Sequence, residues 1–83
     1  MYLEILTPGK KVFTGDIKLI KVPGSDGSFE VMEKHAPIIS TLQPGKLKFI
    51  TTNGQKQVYD IQGGVVQVLK NHVIVLVESL VEA

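Results

Sequence analysis

The sequence of 83 residues contains no cysteine, no tryptophan and no arginine, and these absences exclude several kinds of site. Without cysteine the chain has no disulfide framework, no thiolate nucleophile and no cysteine-based zinc site. Arginine is the usual bidentate partner of phosphate and guanine, so its absence argues against nucleic-acid recognition. No stretch approaches the ~20 apolar residues that span a bilayer, and the N-terminus has no basic start before a long apolar run. We therefore expect neither membrane insertion nor export.

The composition that remains is that of an ordered globular domain. Hydrophobic residues make up 43% of the chain and charged residues 20%, with a net charge of +1. A chain of this length is sufficient for one compact domain and too short for two, because small chains bury a smaller share of their surface on folding. We therefore expect a single domain over residues 1–83 that is stabilised by packing.

Short runs rich in valine, isoleucine, threonine and aromatic residues, separated by frequent turn residues, predict an all-β fold. No window shows the 3.6-residue apolar period of a helix, so essentially no helix is expected. Many short strands cannot share one flat sheet and one core, and the prediction is an antiparallel β-sandwich of about nine to ten strands. The predicted strands are Tyr2–Leu6, Lys11–Thr14, Asp16–Val22, Ser28–Met32, Ile38–Leu42, Lys46–Thr52, Gln55–Ile61, Val65–Leu69 and His72–Glu78.

Three turns are predicted from their glycines. Asn53–Gly54 lies between two alternating runs and predicts a hairpin with a two-residue type I′ turn, which needs positive φ at both positions. Pro44–Gly45 suits the central positions of a type II turn. The segment Gly24–Gly27 predicts a third tight reversal.

Three segments break the alternation expected of a strand with one buried face. The apolar pattern of Ile17–Val22 requires a bulge near Lys18. Ile38 and Ile39 are adjacent and cannot both face the core. Both faces of the segment from Val73 to Val77 are apolar.

These apolar outer positions have two interpretations. Either a neighbouring loop of the same chain covers them, or a second protein does. The second interpretation gains weight in a chain that has no helices to lie over its sheets. It assigns an apolar outer surface to Leu19, Ile39, Ile74 and Leu76.

The polar residues give little support for catalysis or metal binding. Histidine is a common acid–base residue in catalysis, and His35 lies two positions from Glu33, but the only other histidine, His72, is at a predicted strand start. Asp26 lies in a sequence like a fragment of a calcium-binding loop, yet the further alternating oxygen ligands are missing. We expect no catalytic residue, no bound cofactor and no metal site.

Several motifs occur along almost the whole chain. They are Phe13-Thr14-Gly15, Val22-Pro23-Gly24-Ser25-Asp26-Gly27, His35-Ala36-Pro37, Leu42-Gln43-Pro44-Gly45, Gly63-Gly64-Val65-Val66-Gln67-Val68 and Asn71-His72-Val73-Ile74-Val75-Leu76. In this order they resemble the epsilon subunit of bacterial F-type ATP synthases, whose N-terminal domain is a flattened β-sandwich of about this length. A set of motifs at consistent spacing is more specific than any one of them.

The resemblance implies a non-catalytic rotor subunit of the central stalk. Such a subunit connects the gamma subunit to the polar loops of the membrane-embedded c-ring, and supports the coupling of proton flow to ATP synthesis. It would lie at the cytoplasmic face of the bacterial inner membrane, peripheral and without direct membrane insertion.

The resemblance also implies which residues meet these partners. Segments 24–28 and 33–37 match the end of the sandwich that faces the c-ring and gamma, and positions 7, 40 and 41 match the gamma side. The apolar positions 39 and 76 add to the expected gamma surface. The expected interface residues are Ser25, Asp26, Ser28, Glu33, His35, Thr7, Ile39, Ser40, Thr41 and Leu76.

The sequence departs from the family pattern in three places. Glu30 stands where a small residue is usual, and Glu33–His35 lacks a proline that is often present, so we expect electrostatically different contacts with the ring. The sequence ends at Ala83, where relatives continue into two α-helices. We therefore expect no C-terminal helical domain, no ATP binding and no helix-based inhibition.

An alternative function is that of a small ligand-binding β-sandwich module, for example one for carbohydrate or lipid. Such modules present several aromatic side chains on a concave face. This chain has no tryptophan, two tyrosines and three phenylalanines, which disfavours that alternative.

Overall fold

The computed structural model describes residues 1–83 and consists of nine β-strands with no helix, which confirms the predicted all-β fold. No helix is therefore present that is long and apolar enough to cross a membrane. The strands are β1 (Tyr2–Thr7), β2 (Lys10–Gly24), β3 (Gly27–Met32), β4 (Ile38–Leu42), β5 (Gly45–Thr51), β6 (Lys56–Ile61), β7 (Gly64–Leu69), β8 (His72–Val77) and β9 (Leu80–Glu82).

Strand β2 is one strand of 15 residues where the sequence predicts two. The predicted break falls at Gly15, but this glycine lies within the strand, and a Cβ atom there would lie 3.2 Å from the ring of Phe13. Gly15 therefore allows the Phe13 ring to pack closely against the backbone, and it does not form a turn. The sequence does not predict β9, because three residues are too few to establish an alternation.

The length of β2 lets it belong to both layers of the sandwich. Its first half pairs with β1, and its second half pairs with β3 and β5. One layer contains β1, β8, β7 and β4, and the other contains β3, β5, β6 and β9. The register between β2 and β5 shifts between Ile17 and Leu19, which confirms the predicted bulge near Lys18. The shift keeps both Ile17 and Ile20 buried.

The strand pairs are antiparallel with one exception. β1 and β8 run parallel, with Leu3 opposite Val73 and Ile5 opposite Val75. The sheet is therefore mixed, which departs from the purely antiparallel arrangement that the sequence predicts. Parallel strands are not connected by a tight turn, so no local sequence motif predicts this pairing.

The core lies between the two layers and is entirely apolar. Fifteen hydrophobic side chains are buried, and no polar or charged side chain is. The ring of Phe49 packs against Phe13, with the centroids 4.5 Å apart, and against Tyr59, with the centroids 6.4 Å apart. Alternate residues of each strand, such as Val73 and Val75 of β8, point inward. Burial of apolar surface is therefore what stabilises the fold.

The hairpin predicted at Asn53–Gly54 is present between β5 and β6, but its turn type is different. Only Gly54 has a positive φ, of 90°, and its amide donates to the carbonyl oxygen of Thr51 over 2.9 Å. A two-residue turn with positive φ at both positions instead connects β7 and β8, at Lys70 (φ 52°) and Asn71 (φ 61°). This turn contains no glycine, so its sequence, Lys70-Asn71, does not predict the positive φ values.

The other two predicted turns have different outcomes. Gly24 pairs with Gly27 across a tight reversal between β2 and β3, as predicted. The type II turn at Pro44–Gly45 is wrong, because Gly45 has no positive φ and begins β5. A close approach explains the glycine instead, since a Cβ atom at Gly45 would lie 3.0 Å from the Cβ atom of Pro23.

Candidate functional site

The outer surface of the layer formed by β1, β8, β7 and β4 is apolar across neighbouring strands. The pairing puts Leu76 of β8 between Leu6 of β1 and Val65 of β7. One row further, Ile74 and Ile39 face the same side, with the polar side chain of Gln67 between them on β7. We define the apolar face as the side chains of Leu6, Ile39, Val65, Leu69, Ile74 and Leu76.

Most of the exposed large hydrophobic side chains lie on this layer. Ile39 is 73% exposed and Leu76 is 49% exposed, whereas Ile38 packs against the core. No loop of the chain covers Ile39 or Leu76, so the interpretation in which a neighbouring loop covers these two positions is wrong. Seven large hydrophobic side chains are exposed in all, and five of these are on this layer, namely Tyr2, Ile39, Val65, Leu69 and Leu76.

Two depressions border the apolar face, so this surface is not flat. One, of ≈ 470 Å³, is lined by Leu6, Thr7 and Leu76 among others. The second, of ≈ 440 Å³, is lined by residues that include Ile39 and Leu69. Depressions between exposed apolar side chains can receive protruding side chains of a partner protein.

Leu19 does not belong to this face, although the sequence groups it with Ile39 and Leu76. It lies half-buried in the other layer, paired with Met32 of β3 and Ile50 of β5. The reason is that Leu19 lies in the second half of β2, which pairs with β3 and β5 and not with β1. The prediction of a shared surface is therefore wrong for Leu19.

Two hydrogen bonds join the turn between β2 and β3 to the end of β4. The amide of Ser25 donates to the carbonyl oxygen of Thr41 over 2.9 Å. The hydroxyl of Thr41 donates to the hydroxyl of Ser25 over 2.8 Å. Thr41 is in register with Val65, so this turn lies next to the apolar face. Ser40 donates through its hydroxyl to the Thr41 carbonyl oxygen over 3.0 Å.

The polar residues expected at one end of the sandwich lie at two ends of β3. Ser25 and Asp26 form the turn before this strand, and Glu33 and His35 follow its last residue, Met32. Six extended residues span about 20 Å. The structure therefore brings Ser25 together with Thr41, and separates both from Glu33 and His35.

Glu33 and His35 do not form an acid–base pair. The Glu33 carboxylate lies 3.7 Å from the N-terminal ammonium group of Met1. The Nδ1 atom of His35 is 2.7 Å from the carbonyl oxygen of Ala36, to which it can donate a hydrogen bond. Between these residues, Lys34 has a φ of 65°, and its amide donates to the Asn71 side chain over 2.8 Å. The local contacts fix the shape of this loop.

No group of three or more histidine, aspartate or glutamate side chains converges as a metal site would require. Sequence reasoning missed one cluster of ionisable side chains, which joins β1, β2 and β8. His72 Nε2 lies 2.6 Å from the Glu4 carboxylate, and the Lys11 ammonium lies 3.9 Å from the same carboxylate. The Tyr2 ring packs edge-on against His72, with centroids 5.3 Å apart. The contacts of His72 with Glu4 and Tyr2 depend on the parallel pairing of β1 with β8, and the contact of Lys11 with Glu4 depends on the antiparallel pairing of β1 with β2. No sequence motif could have revealed this combination.

A second missed contact lies at the edge of the other layer, where β9 pairs with β6. Tyr59 is opposite Glu82 in this pairing. Burial raises the pKa of Tyr59, and the negative charge of Glu82 raises it further. The neutral phenol is therefore the form that the fold favours.

With the fold and these surfaces established, comparison with known families is decisive. The family described as ATP synthase, Delta/Epsilon chain, beta-sandwich domain matches the chain over residues 1–83. The chain belongs to this family. Membership confirms the resemblance inferred from the motifs of the sequence.

Similar proteins named ATP synthase epsilon chain come from several bacteria. The one from Protochlamydia amoebophila is 41% identical over 94% of this chain and 53% of its own length. The one from Chlorobium limicola is 35% identical over 94% of this chain and 89% of its own length. The one from Caulobacter vibrioides is 32% identical over 100% of this chain and 95% of its own length. The chain thus spans about half of the first epsilon chain and most of the other two.

Solved ATP synthase structures contain chains of the same fold. A chain of the Euglena gracilis mitochondrial ATP synthase superimposes with a TM-score of 0.88 at 21% identity, over 96% of this chain and 51% of that one. A chain of the Tetrahymena thermophila mitochondrial ATP synthase, in a structure of the central stalk and c-ring, gives a TM-score of 0.79 at 25% identity, over 98% of this chain and 65% of that one. The β-sandwich of the epsilon family is therefore the fold of this chain.

Proposed function

We propose that this chain is a non-catalytic rotor subunit of the central stalk of a proton-translocating F-type ATP synthase. In this role it connects the gamma subunit to the c-ring and supports the coupling of proton flow to ATP synthesis. Family membership and the relatives named ATP synthase epsilon chain support the proposal. So does the similar Tetrahymena chain, which comes from a structure of the central stalk and c-ring.

The proposed location is peripheral, at the cytoplasmic face of the bacterial inner membrane, as part of the ATP synthase. The bacterial origin of the similar epsilon chains supports it. The role requires two adhesive surfaces and no active site, because the nucleotide chemistry is performed by other subunits.

The observation that carries the proposal is the apolar face. It groups Ile39, Leu69 and Leu76, each exposed by more than two fifths, on one side of one layer. We assign this face to the gamma subunit, together with Thr7 and Thr41 at its border. We also assign Ser40 to this contact, although it is in register with buried Val66 and so lies on the other side of β4 from Ile39. An exposed and mainly apolar surface with polar residues interspersed is typical of a protein interface.

We assign the contacts with the polar loops of the c-ring to the turn that carries Ser25, Asp26 and Ser28. All three residues are exposed, and the turn adjoins the gamma surface through Thr41. Glu33 and His35 form a separate polar segment at the other end of β3, and we assign it a second contact with the rotor.

The experiment that tests this function is complementation. The chain is supplied to an ATP synthase that lacks its epsilon subunit, and proton-driven ATP synthesis and retention of the chain on the gamma subunit are measured. Restored coupling with retention on gamma is the expected result. If the chain fails to bind gamma both in the presence and in the absence of the c-ring, the proposed function is wrong.

The alternative of a ligand-binding β-sandwich gains no support from the structure. Tyr2 is the only aromatic side chain that is exposed, at 39%, and Phe49 is fully buried. Phe13, Phe29 and Tyr59 pack against the core. A concave surface lined by aromatic side chains is therefore not formed.

A further inference from the structure

The layer that does not carry the apolar face has a basic cleft on its outer surface. The cleft has a volume of ≈ 470 Å³ and is lined by Lys21 of β2 and by Lys46 and Lys48 of β5. No carboxylate is among its lining residues. Three of the nine lysines of the chain thus meet in one concave site.

Two of these lysines face each other, and neither of them is in an ion pair. Lys21 and Lys48 are direct partners in the antiparallel pairing of β2 with β5, and like charges at such positions destabilise a sheet. Neither forms an ion pair, although Lys21 is also in register with Glu30 on its other side. Lys46 differs, because its ammonium lies 2.9 Å from the Asp60 carboxylate.

The rest of the cleft adds neutral donors and a rigid floor. The Ser28 hydroxyl and the Gln43 side-chain amide line the cleft, and neither side chain has a hydrogen-bond partner in the chain. Pro23 is buried beneath them, and Gly45 approaches it so closely that an added Cβ atom would lie 3.0 Å from the Pro23 Cβ atom. The donors therefore surround a floor that packing holds in place.

We propose that this cleft binds a phosphate-type oxyanion between Lys21 and Lys48. An anion at this point converts the repulsion of the two ammonium groups into two attractions, and Ser28 and Gln43 supply further hydrogen bonds to its oxygen atoms. The same chemistry is offered by inorganic phosphate and by the headgroup of an anionic phospholipid. The site is independent of the surface assigned to the gamma subunit, because it lies on the other layer of the sandwich.

The test compares the wild-type chain with a Lys21→Gln/Lys48→Gln variant and a Lys56→Gln control. Lys56 is an exposed lysine of the same layer that does not line the cleft, so the control removes charge without removing the site. In one arm, sodium phosphate is titrated at constant ionic strength and amide chemical shifts are followed. In the other arm, flotation measures binding to vesicles of phosphatidylglycerol and, as a comparison, of phosphatidylcholine.

We expect saturable chemical-shift changes at Lys21, Ser28 and Lys48 with phosphate, or saturable flotation of the chain with phosphatidylglycerol vesicles, or both. Loss of the charge-assisted contacts should weaken the binding about tenfold or more in the double variant, and the Lys56→Gln control should match the wild type. A response to phosphate identifies a free anion, and a response only to phosphatidylglycerol identifies a lipid headgroup.

The proposal is overturned if neither arm shows binding, if the double variant binds as well as the wild type, or if the control loses as much as the double variant. Thermal unfolding gives an independent readout. At low salt without phosphate, Lys48→Gln should raise the Tm because it removes the repulsion, and added phosphate should raise the Tm of the wild type more than that of this variant. A lower Tm of Lys48→Gln than of the wild type without phosphate would also overturn the proposal. So would a larger rise in Tm on addition of phosphate in Lys48→Gln than in the wild type.

Discussion

The hydroxyl of Thr41 donates to the hydroxyl of Ser25 over 2.8 Å, and this contact fixes the turn between β2 and β3 against the edge of the apolar face. The same two residues share a backbone hydrogen bond of 2.9 Å. These two hydrogen bonds fix the position of the polar turn relative to the apolar face. In a rotor subunit, this rigidity would let a partner on the apolar face and a partner at the turn move together.

Charging the apolar face should weaken binding to the gamma subunit without unfolding the chain. Leu76→Glu and Ile39→Glu each put a carboxylate on a side chain that already contacts solvent, so we expect the Tm to change little. Burial of that carboxylate against gamma should reduce co-purification about tenfold or more. Val81→Glu is the matched control, because Val81 is 67% exposed and lies outside this face. A large loss of Tm in Leu76→Glu would instead assign Leu76 to the core.

A comparison of Leu47 with Leu76 should distinguish a core position from a surface position. Leu47 is fully buried, so Leu47→Ala should destabilise the chain by about 2–5 kcal/mol in urea unfolding. Leu76→Ala removes the same atoms from a half-exposed position, and we expect a much smaller change in the free energy of unfolding. Equal losses in the two variants would contradict the burial that distinguishes these residues.

The fold was predictable from the sequence wherever a signal is local. The irregular pattern of Ile17–Val22 predicts the bulge at Lys18, and the adjacent pair Ile38–Ile39 predicts that one isoleucine is exposed. The parallel pairing of β1 with β8 was not predictable, because it depends on strands from the two ends of the chain.

The candidate site was predictable to a similar degree. Ile39, Ile74 and Leu76 share a face as the alternation implies, but only the register reveals that Leu19 lies on the other layer. The clustering of Lys21 with Lys48 likewise depends on cross-strand pairing, since 26 intervening positions separate them along the chain. Composition and motif spacing contain no information of this kind.

The turn at Lys70–Asn71 should be sensitive to the side chain of Asn71. Asn71 has a φ of 61°, and its side-chain oxygen accepts a hydrogen bond from the Lys34 amide over 2.8 Å. Asn71→Ala removes the acceptor and the residue type that tolerates this conformation, so we expect a loss of about 1–3 kcal/mol. Asn71→Asp keeps an acceptor and should recover most of the loss. Hydrogen exchange at the Lys34 amide checks the mechanism, because protection should fall only in the alanine variant.

Tyr59 should make the chain less stable at alkaline pH. Its pKa is raised by burial and by Glu82, so the folded chain keeps the phenolic proton at a pH where the unfolded chain releases it. The unfolded state then binds fewer protons, and the free energy of unfolding falls as the pH rises through about 10. Urea unfolding of Tyr59→Phe between pH 8 and about 11 should show a shallower decline than the wild type. Tyr2→Phe retains Tyr59 and should decline as the wild type does, and an identical decline in all three proteins would contradict the assignment.

The two polar segments at the ends of β3 should act on different partners. Asp26 lies in the turn assigned to the c-ring, whereas Glu33 lies beyond Met32, about 20 Å away along an extended strand. One small loop of a partner cannot contact both segments, so Asp26→Lys should weaken binding to a gamma and c-ring assembly more than Glu33→Lys does. Binding to gamma alone should be unchanged by Asp26→Lys, because the apolar face remains intact. The measurement is retention of each variant on gamma with and without the c-ring. If both variants lose the same assembly to the same extent, the separate assignments of these segments are wrong.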